Sequence, residues 1–132
     1  DVEQRLLFPH VEVDYVPRDV NGFDVPGAQE SIRQNIQHLH AHILNEHLDI
    51  DDPELEATWQ VFIETWAEGR AALDAEETTA SIPSTCRGER DFWSQVRFDD
   101  DHEVTSDPDY TVRAWQAVVA YMLMDYRFVV EQ

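Results

Sequence analysis

The stretch that decides the fold is residues 52–74, which read DPELEATWQVFIETWAEGRAALD. Asp52 is a suitable N-cap, and Pro53 fits the first helical turn, where a missing N–H donor is not needed. Apolar side chains follow at helical spacing: Leu55, Trp59, Phe62, Trp66 and Leu73. Because they form one stripe that includes two Trp, we predict a helix over 53–74 that contributes heavily to the core, with Gly69 as a mild defect.

Two more helices are indicated by the same kind of periodicity. Residues 27–48 carry a core stripe that consists of Ile32, Ile36, Leu39 and Ile43. Residues 108–130 follow Asp107 and open with a Pro and an acid, which repeats the start chemistry of the helix above. Their stripe consists of Tyr110, Ala114, Ala117, Val118, Tyr121 and Phe128, widened by Trp115, Met122 and Val129. Val119 and Leu123 lie on the far side, so this helix is either central or meets a partner there.

The first residues of the chain lack a helical period. Apolar residues alternate with acids over residues 11–15, as in a short strand, and a turn signal follows at Asn21-Gly22. We therefore predict an extended arm over residues 1–25 that lies across the domain, with one small hairpin as an option.

The predicted fold is mainly all-α, an irregular three-to-four-helix bundle with an extended N-terminal arm. A length of 132 residues suits a single helical domain over 1–132, in which 1–25 is the arm and 27–130 the helical core. Residues 75–106 interrupt that core as an irregular insertion or docking loop, with a short helix predicted over 88–96.

The composition is strongly acidic. The chain has 28 Asp and Glu against 9 basic residues, all of them Arg, and its formal net charge is −19. Nucleic acids and anionic membranes both require clustered cations, so the charge argues against either as a partner. Two explanations of this combination, in which Arg fully replaces Lys and acids are spread along the chain, stay open. One is adaptation to high salt, which screens the repulsion between carboxylates. The other is a GC-rich genome, which favours Arg codons over Lys codons.

The histidines are the most suggestive chemical feature. Four of the six fall within ten residues, and on a helix His38, His42 and Glu46 stand along one line at i, i+4 and i+8. This line could supply half of a site for zinc or another divalent transition metal, with further ligands from another helix. Two alternatives stay open, namely ordinary solvated histidines beside carboxylates and a histidine-based pH sensor.

Two stretches carry a family resemblance. Residues 43–55 read ILNEHLDIDDPEL and lead into the Trp-rich helix, and residues 114–131 end in DYRFVVE. They resemble the helical regions of large secreted proteins of planctomycetes and myxobacteria, which carry domains of unknown function beside cytochrome c modules. The resemblance implies an extracytoplasmic part of a larger assembly. It implies no haem role, because a chain with one Cys has no CxxCH haem-attachment motif.

The sequence shows no catalytic constellation. It has no Gly-x-Ser-x-Gly elbow and no Gly-rich phosphate loop, and nothing places a His beside Cys86. The first residue is Asp1 and not Met, which we expect of a trimmed chain, a processed product or a fragment. The predicted function is a non-catalytic, acidic helical binding or assembly module, whose partner is another protein or a neighbouring domain. The alternative is a metal-binding protein or metalloenzyme that uses the His38, His42 and Glu46 cluster.

Overall fold

The computed structural model describes residues 5–81 and 106–124, and within those ranges the fold is all-α. Three helices are present there, with no strand: α1 (Pro26–Leu44), α2 (Pro53–Asp74) and α3 (Thr111–Leu123). Helix α2 packs against both of the others and most extensively against α3. The all-α prediction is therefore confirmed.

Helix α2 begins and ends where the sequence predicts. The Asp52 carboxylate accepts a hydrogen bond of 2.8 Å from the backbone N–H of Glu54, as an N-cap should. Leu55, Trp59, Phe62 and Trp66 of the predicted stripe are buried, and so are Thr58, Ile63 and Gly69. Leu73, at the end of the predicted stripe, is only partly buried.

Helix α1 ends earlier than predicted. In its core stripe, Ile32, Ile36 and Leu39 are completely buried, and Ile43 packs against the core while only partly buried. The helix stops at Leu44 because Asn45 adopts a left-handed conformation with φ 54°, and this C-cap satisfies a carbonyl of the last turn. The predicted continuation to residue 48 is therefore wrong.

Helix α3 begins later than predicted. Tyr110 has φ 63°, and the helix starts at Thr111 rather than three residues earlier. The buried Asp107 carboxylate accepts hydrogen bonds from the backbone N–H groups of Val112 at 3.1 Å and Arg113 at 3.0 Å. The Asp-Pro-acid pattern that α3 shares with α2 therefore caps the two helices differently. Asp52 directly precedes α2, whereas Asp107 lies four residues before the first residue of α3. The predicted continuation over residues 125–130 lies outside the described residues.

The core face of α3 is also rotated relative to the prediction. Tyr121, which the sequence places in the main stripe, is exposed. Trp115 and Met122, predicted only to widen the stripe, are buried beside Ala114 and Val118. Packing of α2 against this side of α3 decides which face is internal.

The N-terminal arm, residues 5–24 of the described chain, forms turns instead of the predicted strand. An isolated antiparallel β-bridge between Arg18 and Asp24 closes one tight turn, in which Gly22 has φ 83°. This turn corresponds to the small hairpin that Asn21-Gly22 indicates. Val11 is buried in the core, so the arm packs against the helices.

Little of the irregular segment 75–106 falls within the described residues. Ser81 and Ser106 form an isolated antiparallel β-bridge. Beside it, the backbone N–H of Asp107 donates a hydrogen bond of 2.6 Å to the Ala80 carbonyl. The two ends of the segment therefore meet at one place. The short helix predicted over 88–96 lies outside the described residues.

Candidate functional site

An apolar groove of about 550 Å³ runs between the arm and the outer face of α3. The arm contributes Leu7, Phe8 and Val11, and α3 contributes Val112, Val119 and Leu123. Trp115 lines the same groove between the two walls. A concave apolar surface of this volume is typical of ligand and peptide sites.

The arm is fixed to the helices by polar contacts from buried side chains. Asn35 of α1 is fully buried, and its amide accepts from the His10 N–H at 3.1 Å and donates to the Leu7 carbonyl at 3.0 Å. On α3, the buried Thr111 hydroxyl donates to the Val13 carbonyl. Because these contacts hold the arm at both α1 and α3, the two walls of the groove keep a fixed position relative to each other.

Trp115 combines tight packing with an unsatisfied polar atom. Its ring lies 5.4 Å from Phe8 and 4.8 Å from Phe62, measured between centroids. Its buried Nε1 has no hydrogen-bond partner. In contrast, Trp66 Nε1 donates to the Asp109 carbonyl at 2.9 Å. Buried donors are nearly always paired, so the unpaired indole N–H of Trp115 is an unusual feature of the groove lining.

Each Arg of the described residues is paired with a carboxylate. The pairs are Arg5–Glu12 at 3.2 Å, Arg18–Asp24 at 3.6 Å, Arg33–Glu56 at 2.6 Å, Arg70–Asp74 at 3.6 Å and Arg113–Asp107 at 3.1 Å. The hydrogen bond from Arg33 lowers the pKa of Glu56 below its usual value. The Arg5–Glu12 pair stands at the groove itself.

The structure separates the three residues of the predicted metal cluster. The rings of His38 and His42 lie 4.1 Å apart between centroids, as their spacing predicts. Glu46 lies beyond the end of α1, and its carboxylate is 3.3 Å from Nδ1 of His40. Within residues 5–81 and 106–124, no group of three His, Cys, Asp or Glu is arranged to hold a metal ion.

His40 is part of a buried polar network that the sequence pattern does not reveal. Its Nε2 is 2.9 Å from the Thr58 hydroxyl, which in turn donates to the Glu54 carbonyl at 3.1 Å. His40 thereby links α1 to α2, and a structural role accounts for its burial. A second, polar pocket of about 430 Å³ lies beside His10, His38 and His47.

The groove was only partly foreseeable. The far-side positions Val119 and Leu123 are apolar at helical spacing, and both line it. The arm that forms the other wall carries no helical period, so the sequence predicts that it lies across the domain but not which helix it lies against. The site is therefore defined by a contact between distant parts of the chain.

Comparison with known proteins gives no assignment. No protein-family model, curated protein or solved structure matches this chain. The resemblance to secreted, cytochrome-associated proteins therefore stays a prediction. Among the helices of the described ranges, none has the length and apolar character needed to cross a membrane.

Proposed function

We propose that this protein is a non-catalytic helical binding module that docks a segment of another protein, or of a neighbouring domain, in the groove between the arm and α3. The observation that carries the proposal is the apolar groove of about 550 Å³, held open by the Asn35 and Thr111 contacts to the arm. A fold that fixes its own arm beside an apolar helix face maintains apolar surface that water does not favour.

Two exposed apolar side chains allow a matched test of this function. Leu123 lines the groove and is 45% exposed. Ile50 is in the segment that connects α1 to α2, does not line the groove and is 43% exposed. Substitution of either by Gln removes apolar surface without emptying the core. Unchanged melting temperatures would establish that both variants fold like the original protein.

The experiment is selection of a displayed peptide library on the purified protein, followed by affinity measurement on both variants. We expect enriched peptides that bind Leu123→Gln at least about tenfold more weakly, a loss of about 1.4 kcal/mol. The same peptides should bind Ile50→Gln like the original protein. The proposal fails if no peptide is enriched, or if Leu123→Gln retains full affinity.

Metal binding is a second candidate, supported by the adjacent rings of His38 and His42. Nε2 of His38 is 2.7 Å from the Leu6 carbonyl, so a proton on Nε2 would leave Nδ1 as the ligand atom. Glu46 is already engaged with His40, so a third ligand would have to come from elsewhere. Zinc should raise the melting temperature of the original protein but not of His42→Ala. No shift at millimolar zinc would exclude this candidate.

A further inference from the structure

Building on the proposed docking function, we infer that the occupant of the groove is a basic amphipathic helix of another protein. Its apolar side chains would enter the groove, and its Lys or Arg side chains would be attracted by the net negative charge of the chain. The inference rests on the backbone contacts of the arm, the spacing of the α3 wall and the pairing of the Arg side chains.

The arm offers little backbone for pairing with an extended peptide. Its Leu7 carbonyl accepts from Asn35, its Val11 carbonyl from Arg5 and its Val13 carbonyl from Thr111. A peptide added as a strand needs free carbonyl and N–H groups along an edge. A helix satisfies its own backbone hydrogen bonds, so it can use the groove without them.

The α3 wall has the spacing that a helix requires. Val112, Val119 and Leu123 are separated by seven and four residues, and all three line the groove. At about 1.5 Å of rise per residue, they extend over about 16 Å, or roughly three helical turns. An occupant with apolar side chains at i, i+4 and i+7 would match this length.

The charges favour a basic occupant. The chain carries a net charge of −19, and every Arg in the described ranges already contacts a carboxylate. At the groove, Arg5 is held by Glu12 and by the Val11 carbonyl. An acidic segment would be repelled by this net charge and would find no unpaired Arg among the described residues, whereas a basic segment would be attracted.

The same charge disfavours a second copy of this chain as the occupant. Two copies would bring together surfaces that each carry an excess of carboxylates, and their repulsion is weakened only when salt screens it. A basic partner of opposite charge needs no such screening.

The test uses three peptides of about 16 residues, a length that covers the groove with a turn to spare. The first has an apolar face and Lys and Arg on its polar face. The second has the same apolar face and Glu on its polar face. The third is a scrambled form of the first, with equal charge and no apolar face. Binding is measured by titration calorimetry to the whole chain and to the Leu123→Gln and Ile50→Gln variants, and the contact surface is mapped by NMR.

We expect the basic amphipathic peptide to bind at least about tenfold more tightly than its acidic counterpart at low salt, and this difference to shrink in molar salt. The scrambled peptide should bind weakly. Leu123→Gln should lose about tenfold in affinity and Ile50→Gln should lose none. NMR shifts should concentrate at Val112, Val119 and Trp115.

Several outcomes would overturn the inference, and they separate it from the proposed function. Equal binding of the acidic peptide in the groove would refute the charge requirement and leave the docking function standing. Equal binding of the scrambled peptide would indicate unspecific attraction. Concentration-dependent dimers that Leu123→Gln abolishes would identify a second copy as the occupant. Binding of octanol in the groove without any peptide binding would identify a small-molecule site. Failure of both this test and the library selection would refute the docking function as well.

Discussion

The ring of Tyr110 lies directly on Gly69, in the space that a Cβ atom at position 69 would need. The guanidinium group of Arg113 lies over the same ring, with its central carbon 4.0 Å from the centroid. Gly69 therefore allows close approach between α2 and the segment that leads into α3. The sequence interpretation of Gly69 as a mild defect is wrong.

Gly69→Ala should destabilise the protein, although Ala is the better helix former. The added methyl group would overlap the Tyr110 ring, and overpacking of this kind costs about 1–3 kcal/mol. Gly27→Ala is the matched control, because the Cβ at that position meets nothing within 4 Å. Chemical denaturation measures both. Introducing Gly69→Ala into a Tyr110→Gly background should remove the cost, and an unchanged cost there would contradict the packing explanation.

Trp66→Phe should destabilise the protein more than Trp115→Phe. Both side chains are buried to a similar degree, at 6% and 7% exposure, and both changes remove the same atoms. The first leaves the Asp109 carbonyl without its donor, whereas the second removes a donor that has no acceptor. The difference should be about 1 kcal/mol in the free energy of unfolding. Equal losses would show that the unpaired indole is not unfavourable.

The two aspartates that precede α2 and α3 should differ in their tolerance of Asn. Asn caps a helix about as well as Asp, so Asp52→Asn should change stability by only a few tenths of a kcal/mol. Asp107 is 1% exposed and paired with Arg113, so Asp107→Asn would leave a nearly buried guanidinium without its counter-charge. This should cost about 3 kcal/mol. Similar losses in thermal unfolding would argue that both aspartates act only as caps.

Glu56→Gln should destabilise the protein at neutral pH and lose its effect in acid. The hydrogen bond from Arg33 lowers the pKa of Glu56 in the folded protein. The stabilisation is therefore present above the ordinary value of 4.5 and lost as the pH falls through the lowered folded value. Glu56 is 49% exposed, so solvent screening limits the effect to about 0.2–1 kcal/mol. Glu64→Gln, on an exposed position of the same helix, is the control. A difference between Glu56→Gln and the original protein that persists at pH 3 would contradict this account.

Stability should rise from low to molar sodium chloride. The net charge of −19 sets carboxylates against one another, and the Debye length falls from about 30 Å at 0.01 M to about 3 Å at 1 M. The measurement is the melting temperature across that range, with chloride used because sulfate strengthens apolar burial by itself. A melting temperature that stays constant or falls would contradict the screening argument and favour the codon explanation of the Arg-for-Lys replacement over salt adaptation.

Local patterns predicted α2 well because all its determinants are local. The cap at Asp52 and the stripe from Leu55 to Trp66 are both encoded within one helix. The end of α1 differs from the prediction because the apolar pattern continues to Leu48, although Asn is a residue type that favours the left-handed conformation of a C-cap. The start of α3 was missed because the same Asp-Pro pattern supports two geometries, and burial of Asp107 selects the second.

The candidate metal cluster shows the same division between local and distant information. The neighbouring positions of His38 and His42 follow from helical spacing alone. Glu46 is instead drawn to His40, whose other nitrogen meets Thr58 on a different helix. No periodicity within α1 contains that partner, so the position of Glu46 beside His40 could not be predicted from spacing alone.

The contact between Val13 and Thr111 also constrains how the protein is made. These residues are 98 positions apart, and they join the first described segment of the chain to the last helix. During synthesis the arm emerges long before α3 exists, so it cannot complete its side of the groove until α3 has also been synthesised. Such distant contacts slow folding because closing the loop costs entropy before the contact stabilises it. The groove therefore cannot form before α3 is available, and binding competence should appear only once the arm and α3 are in contact.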